Sequence, residues 1–244
     1  MATRIAVISD IHANLHALDA VLAAIAEEGV DELWCLGDVI GYGPRPNECV
    51  AVVREGAAVC LAGNHDLVVL GKIDSQAFVG EAAAAARWTA SVLEPEARAF
   101  LDTLVPRAEA EDAQLYHGSP LDPIWDYVLS EPAARESFAA TSAPLVLVGH
   151  SHVALGILAG PGGLHGGQAP AGTELVLGEE RLLLNPGSVG QPRDGDPRAA
   201  WLLIDKSAGR ARFRRTDYPV EQTQAEMRER GLPEALAARL SHGV

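Results

Sequence analysis

Asp10, His12, Asp38, Asn64, His117, His150 and His152 are residue types that bind metal ions. They stand in five short blocks of the 244-residue chain: Asp10-Ile-His12, Gly37-Asp38, Gly63-Asn64-His65-Asp66, His117-Gly-Ser119 and Gly149-His150-Ser-His152. Carboxylate oxygens suit hard divalent ions and can bridge two of them, whereas imidazole suits manganese, iron and zinc better than magnesium or calcium. The mixed set therefore points to two divalent or trivalent transition-metal ions, manganese first, with iron or zinc as alternatives. Two such ions about 4 Å apart can clamp a phosphoryl oxygen and generate a bridging hydroxide nucleophile at neutral pH. His65 is left over, and an imidazole that titrates near neutrality suits general-acid work. The chemistry in prospect is phosphoester cleavage.

Each block follows a short apolar run with strand character, at 4–9, 33–36, 58–62, 113–116 and 145–148. Ligands of open parallel sheets bind outside the carboxyl ends of the strands, which is where these blocks would lie. Asp10 and His12 are two apart, so in extended chain they point the same way, and His150 and His152 repeat the device. Asp38 follows Asp10 by 28 residues and Asn64 follows Asp38 by 26, each interval fitting one β-α unit. Between them, Leu15, Leu18, Val21, Leu22 and Ile25 recur at helical spacing before Gly29, and a second helix spans 46–55 with Pro46 in its first turn. This βαβαβ rhythm predicts parallel strands with helices packed on a face.

Residues 75–104 read as two Ala-rich helices divided near Pro95, and 131–140 as another helix. The later part changes character. Short strands are expected at 153–158, 175–177, 181–184, 199–204 and 211–215, with a hairpin connection at 206–209. The Gly/Pro-rich stretch 160–172 reads as a mobile loop. Two helical stretches, 220–230 and 233–241, close the chain. Two packed sheets with helices outside would hold both halves in one domain over 1–244.

Hydrophobic residues make up 48% and charged residues 21%, the composition of a globular protein. A net charge of −14 argues against sequence-independent duplex binding, so nucleic acid is not an expected partner. It leaves a phosphate substrate open, because bound cations make a site locally positive. The three cysteines, Cys35, Cys49 and Cys60, are odd in number, fit no zinc spacing, and read as buried thiols. The first residues do not form a signal-peptide pattern, and no apolar run approaches the roughly 20 residues of a membrane span, so a cytoplasmic protein is expected. Oligomeric state leaves no recognisable mark.

The ordered set DIH…GD…GNHD…HGSP…GHSH resembles the calcineurin-like metallophosphoesterase family, across 10–152 directly and in kind beyond. The resemblance implies an α/β fold, a four-layer αββα sandwich of two mixed β-sheets flanked by helices. It implies one ion held by Asp10, His12, Asp38 and His152, and another by Asp38, Asn64, His117 and His150, with Asp38 bridging. It gives His65 contact with the phosphate and stabilisation or protonation of the leaving oxygen. Asp66 could orient that imidazole or cap the following segment.

Gly41 and Tyr42 occupy positions where the Ser/Thr protein phosphatase branch carries an Asp and an Arg. The departure speaks against a phosphoprotein phosphatase and toward the small bacterial phosphodiesterase-type branch. Residues 185–195 resemble a block found late in these members, in which Asn185 and Ser188 can hydrogen-bond backbone. Tyr42, Arg45 and Arg193 are the candidate substrate contacts. Tyr42 and Trp125 could stack on a base or aryl group, although packing or rim cover is the more ordinary reading. Arg210, Arg212 and Arg214 share a strand face, read first as solvated, with a nucleotide or acidic partner as the alternative. No role is assigned to His16, His165 or His242.

The expected activity is a binuclear metal-dependent phosphodiesterase acting on phosphodiesters or small phosphorylated molecules. A phosphomonoesterase or a nucleotide or dinucleoside-polyphosphate hydrolase is the alternative within the enzyme class. A non-catalytic metal-binding scaffold is the alternative outside it.

Overall fold

The computed structural model describes residues 3–74 and 78–244. Side-chain alternation decides its layers. In β1 (Arg4–Ile8), Ile5 and Val7 face one way and Ala6 and Ile8 the other, and all four are fully buried. A strand covered on both faces belongs to the middle of a layered fold.

β1 pairs in parallel with β2 (Glu32–Cys35), which pairs in parallel with the two-residue β3 (Val59–Cys60). The crossovers are α1 (Leu15–Glu28), closed by Gly29 in the left-handed conformation, and α2 (Pro46–Gly56), opened by Pro46. On its other edge β1 pairs antiparallel with β11 (Ala199–Asp205), followed by β12 (Arg210–Thr216) and β9 (Glu174–Val176). The first sheet therefore runs β3-β2-β1-β11-β12-β9.

The second sheet runs β4-β5-β6-β10-β7-β8. Its members are β4 (Arg107–Ala110), β5 (Ala113–Tyr116), β6 (Leu145–Leu147), β7 (Ala154–Gly160), β8 (Gly163–Gln168) and β10 (Arg181–Pro186). β5, β6 and β10 are parallel neighbours, and the outer pairs are antiparallel.

Ile5, Val7, Trp34, Leu115, Leu147, Leu184 and Phe213 fill the space between the sheets. The outer face of the first sheet packs Ile8, Cys35 and Trp201 against Leu18, Val21 and Ile25 of α1 and Val50 and Val53 of α2. The outer face of the second packs Val146 and Leu183 against Ala134 and Phe138 of α6 (Glu131–Ala139). The result is the expected α/β sandwich of two mixed sheets flanked by helices. α4 (Gly80–Val92) and α5 (Pro95–Asp102) divide near Pro95 as expected, residues 75–77 of that stretch lying outside the described residues. α7 (Val220–Glu229), α8 (Glu234–Ala238) and a 3-10 turn at Arg239–Ser241 close the chain.

One local expectation fails, and two elements have no mark in the sequence reading. The stretch read as a mobile loop contains β8, paired with β7 from Leu155↔Gln168 to Gly160↔Gly163. An edge strand needs only backbone to pair, and a Cβ on Gly166 would come 2.1 Å from the Gly156 carbonyl oxygen, so glycine here marks close approach of two backbones. β4, polar and at the opposite edge, carries no apolar alternation to read. Residues 64–70 form the short helix α3 (Asn64–Leu70), the segment that Asp66 could cap.

The cysteines are free thiols, with Cys35 and Cys49 buried and Cys60 half-buried. Arg210 and Arg212 pair with Glu174, and Arg214 pairs with Glu28, so each arginine of this face has a carboxylate partner within the chain. His16 pairs with Glu226 and His165 with Glu180. Among the described residues no helix is long and apolar enough to cross a membrane.

Candidate metal centre

The five blocks meet at the carboxyl ends of the parallel strands. Asp10 and His12 follow β1, Asp38 follows β2, and Asn64 opens α3 just after β3. His117 follows β5, and His150 and His152 follow β6. All seven side chains are buried. Ligand atoms of Asp10, His12, Asp38 and His152 form one group and those of Asp38, His117 and His150 a second, each within 4.8 Å of one another. Asp38 belongs to both, and the Asn64 Oδ1 lies 3.1 Å from His117 Nε2 at the edge of the second.

Extended chain is not what aims them. Asp10, His12, Asp38, His150 and His152 all have φ between +50° and +63°, in the left-handed region. Each such residue costs on the order of 1–2 kcal/mol, which the surroundings must hold. A backbone ladder does part of this: Asp10 N–H donates to Gly37 O, His12 N–H to Asp38 O and Ala13 N–H to Val39 O, at 2.9–3.0 Å. The two loops that carry Asp10, His12 and Asp38 are thereby locked together.

The hydrogen bonds also fix which ring nitrogens carry protons. Nδ1 of His12 lies 3.2 Å from Ile40 O, that of His117 2.9 Å from Leu36 O, and that of His152 2.7 Å from Gln191 O. A carbonyl only accepts, so each Nδ1 is the donor and each neutral ring keeps a bare Nε2 lone pair. Yet His12 Nε2 and His152 Nε2 stand 3.0 Å apart. Asp10 Oδ1 lies 3.3 Å from His152 Nε2, and Asp38 Oδ2 lies 3.6 Å from His12 Nε2 and 3.5 Å from His117 Nε2. Asp10 Oδ1, Asp38 Oδ2 and His150 Nε2 are buried with no hydrogen-bond partner. Lone pairs facing lone pairs at these distances repel unless a cation lies among them. The donor set therefore fits metal ions, with each imidazole held by a carbonyl behind it as ligating histidines usually are.

Electrostatics agree. Burial, then the charge of His152, pushes the His12 imidazole well below its ordinary value. Burial likewise lowers His117 and His152, and with His117 takes His150 to about 3. The rings are neutral at neutral pH, the form in which an imidazole can ligate a metal. Burial, Asp66 and Asp10 drive the Asp38 carboxyl well up, the mark of an anion that lacks a compensating charge.

His65 stands beside this group without joining it. Its backbone N–H donates to Asp38 Oδ1 at 2.8 Å, its Nδ1 is buried without a partner, and its ring packs on Tyr42, Phe78 and His12 with centroids 4.3–4.8 Å apart. Burial and His152 push its imidazole well below the ordinary value. Gly41 makes room: a Cβ there would come 2.5 Å from His65 Nδ1. Asp66 does not orient the ring. Its carboxylate accepts the backbone N–H groups of Gly63, Ile40 and Val39, capping α3 and holding the Asp38 loop. Of its two expected roles, the cap is the one its contacts describe.

A cleft of about 230 Å³ opens over the group, walled by Tyr42, Phe78, Trp125, Tyr127 and Arg193 beside His65, His150 and His152. Arg193 reaches it with its guanidinium 5.8 Å from the Tyr42 ring centre and hydrogen-bonded to Gln191 Oε1, while its Nε is buried without a partner. Arg45 does not reach it. Its guanidinium grips Glu226 at 2.7 and 2.8 Å and Glu48 at 3.2 Å, tying the start of α2 to α7. Nothing in the sequence singles out Tyr127, but its ring stacks on His150 at 4.0 Å and 16°.

The end of β10 and the loop after it staple the site across the two sheets. Asn185 Nδ2 donates to Gly149 O and Ser151 Oγ, and Ser188 Oγ donates to Asp10 O. Val189 and Gly190 donate their N–H groups to Ser9 and Asp10 carbonyls. Asn185 and Ser188 thus bond to backbone as their types suggest.

Comparison with known proteins agrees with this geometry. Residues 3–207 match the calcineurin-like phosphoesterase superfamily domain. A crystal structure of a metallophosphoesterase from Sphaerobacter thermophilus is 42% identical over the whole of both chains, with a TM-score of 0.90. An uncharacterised protein of Methanocaldococcus jannaschii is 37% identical over 98% of each chain. A symmetrical bis(5'-nucleosyl)-tetraphosphatase of Vibrio cholerae is 32% identical over 121 residues, which are 47% of this chain and 43% of that enzyme. Fold, buried Asp/His cluster and matched domain lead to one assignment: the chain belongs to the calcineurin-like phosphoesterase superfamily and is a metal-dependent phosphoric ester hydrolase.

Proposed function

We propose that this chain hydrolyses small phosphodiesters at two transition-metal ions, manganese first, with iron or zinc as alternatives. Asp10, His12, Asp38 and His152 would hold one ion, and Asp38, Asn64, His117 and His150 the other. The observation that carries the reading is the convergence of bare imidazole and carboxylate lone pairs on a cleft that also presents His65 and Arg193. When bound, such ions supply Lewis acidity and make water nucleophilic at neutral pH.

The chain's own residues do the rest. Arg193 pairs with the phosphate anion. Tyr42, Trp125 and Tyr127 wall the cleft and shed water from it. His65, kept neutral by burial, stabilises the leaving oxygen by donating a ring N–H, and Asp66 holds the loops that fix its position.

Beside the charge that bound ions would bring, Arg193 is, among the described residues, the one cationic side chain that walls the cleft. Gly41 and Tyr42, standing where protein phosphatases carry Asp and Arg, lead away from a phosphoprotein phosphatase and toward a diester. The second reading is a dinucleoside-polyphosphate hydrolase, favoured by the Vibrio cholerae relative and by the aromatic walls, on which bases could stack. A scaffold without catalysis fits poorly, because every expected donor and His65 are present.

The test is hydrolysis of bis-p-nitrophenyl phosphate beside p-nitrophenyl phosphate by metal-stripped protein titrated with Mn²⁺. Diester turnover that appears only with metal supports the proposal. A preference for the monoester overturns it in favour of a phosphatase. Silence on both with metal bound overturns it in favour of the polyphosphate or scaffold reading.

A further inference from the structure

A second cleft, of about 300 Å³, opens between α3 and α4. Val68 and Val69 of α3, Phe78, and Ala83, Ala86 and Ala90 of α4 line it. Phe78 also walls the metal cleft, so the two spaces share one ring. That ring lies 4.3 Å from the His65 ring. The groove therefore begins on the flank of the residue read as serving the leaving oxygen.

Its chemistry is unlike that of the surrounding surface. The chain carries a net charge of −14, yet none of these residues is acidic, and among the described residues the charged one lining the groove is the exposed Arg87. Val79, next to Phe78 at the lip of the metal cleft, is 80% exposed. Valine, alanine and phenylalanine walls offer no partner to a hydroxyl or amide, so a polar arm such as a bare sugar would leave its groups unpaired there. An alkyl or aryl arm gains from the same walls.

We infer that the groove between α3 and α4 is the subsite for the leaving alcohol, and that this alcohol carries an apolar alkyl or aryl arm. The inference rests on the diester reading and deepens it. In the reaction, the oxygen of water bonds to phosphorus and the P–O bond to the arm breaks. The departing oxygen takes a proton, and the free alcohol lies over Phe78 with its arm along α4. Arg87 keeps the mouth attractive to an anion while the walls select the arm.

The experiment measures binding of 4-alkylphenylphosphonates (methyl, butyl and hexyl) to the full, Mn²⁺-loaded chain by calorimetry. These compounds place the arm on phosphorus through a bond that hydrolysis does not break. Wild-type Kd is expected to fall about two- to fourfold per added methylene, the upper figure being that of a fully buried CH₂. Ala83→Asp, near Phe78, should flatten this dependence. Ala90→Trp, two turns further along α4, should end the gain at a shorter arm.

A flat wild-type series overturns the inference. So does a slope that both variants leave intact, which would seat the arm elsewhere, as against Trp125 and Tyr127. Hydrolysis of bis-p-nitrophenyl phosphate by the same preparation tests the diester reading separately. A slope abolished by the variants, without hydrolysis, keeps the groove and removes that reading.

Discussion

Gly41→Ala puts the position of His65 to the test without touching it. Gly41 has φ +95°, and a methyl there would stand 2.5 Å from His65 Nδ1 and 3.0 Å from its Cγ. An ordinary contact needs roughly 1 Å more, so the ring must move. Tyr42, Phe78 and His12 press on it from other sides, which leaves the cleft as the way out. A displacement of about 1 Å in a catalytic group costs roughly 10²-fold in rate. The backbone adds a cost of its own, on the order of 1–3 kcal/mol for an L-residue at such an angle.

The expected variant keeps its metal content by elemental analysis, loses about 10²-fold in kcat on bis-p-nitrophenyl phosphate, and melts about 5–10 °C lower. In a His65→Ala background the methyl meets no ring. There Gly41→Ala should cause no further loss of rate, and its stability cost should fall, leaving the backbone component and the 3.1 Å contact with the Cβ of residue 65. Wild-type rate and melting temperature in Gly41→Ala would refute the packing described around His65. A rate loss that persists undiminished in the double variant would show that Gly41 acts by another route.

His65→Ala alone should keep its metal content while turnover falls by about 10² or more, and unchanged turnover would remove the residue from the mechanism. Asp38→Asn should lower occupancy at both metal positions, because Asp38 Oδ2 lies between the two groups of donors; full occupancy of both by metal analysis would refute the bridging assignment. Arg45→Ala should destabilise the fold by about 1 kcal/mol in urea unfolding and leave KM unchanged, a rise in KM contradicting its place outside the cleft. Hydrogen bonds from Arg45 hold the Glu226 carboxyl down at about 2, from an ordinary 4.5. A depressed carboxylate contributes stability above its unfolded pKa and loses it as pH falls through its folded one, so the gap between wild type and Arg45→Ala should hold above about pH 5 and close between about pH 4.5 and 2. A gap constant over that window would mean that Arg45 supports the fold without Glu226.

The metal centre was legible because its signal is local. Ligand-type residues at the ends of apolar runs show both the strand and what the strand presents, and Asp10, Asp38, Asn64, His117 and His150 all stand just past strand ends. The pairing logic behind Asp10 and His12 was nevertheless mistaken. They converge through left-handed backbone and a ladder to the Asp38 loop, which residue types do not show. Arg45 was misplaced because its partner, Glu226, is 181 residues away. The edge strands β4 and β8 escaped because pairing through backbone alone leaves no alternation of side chains. Phe78 and Tyr127 lie in connecting segments where no period marks an aromatic as part of a wall.

The same geometry links metal to stability. Seven donors are buried, and three of their acceptor atoms, on Asp10, Asp38 and His150, find no proton. Three histidine N–H groups already serve carbonyls and cannot turn inward without breaking those bonds. Facing lone pairs repel, and that repulsion adds to the strain of five left-handed residues. Cations among them would turn those lone-pair contacts attractive. Ions that bind an arrangement present only in the folded chain would add their binding free energy to folding by mass action. The loop that joins Asn185 to Gly149 and Ser188 to Asp10 opposes that repulsion directly. It ties the donor loops of both sheets together, so that ions would find the site already built.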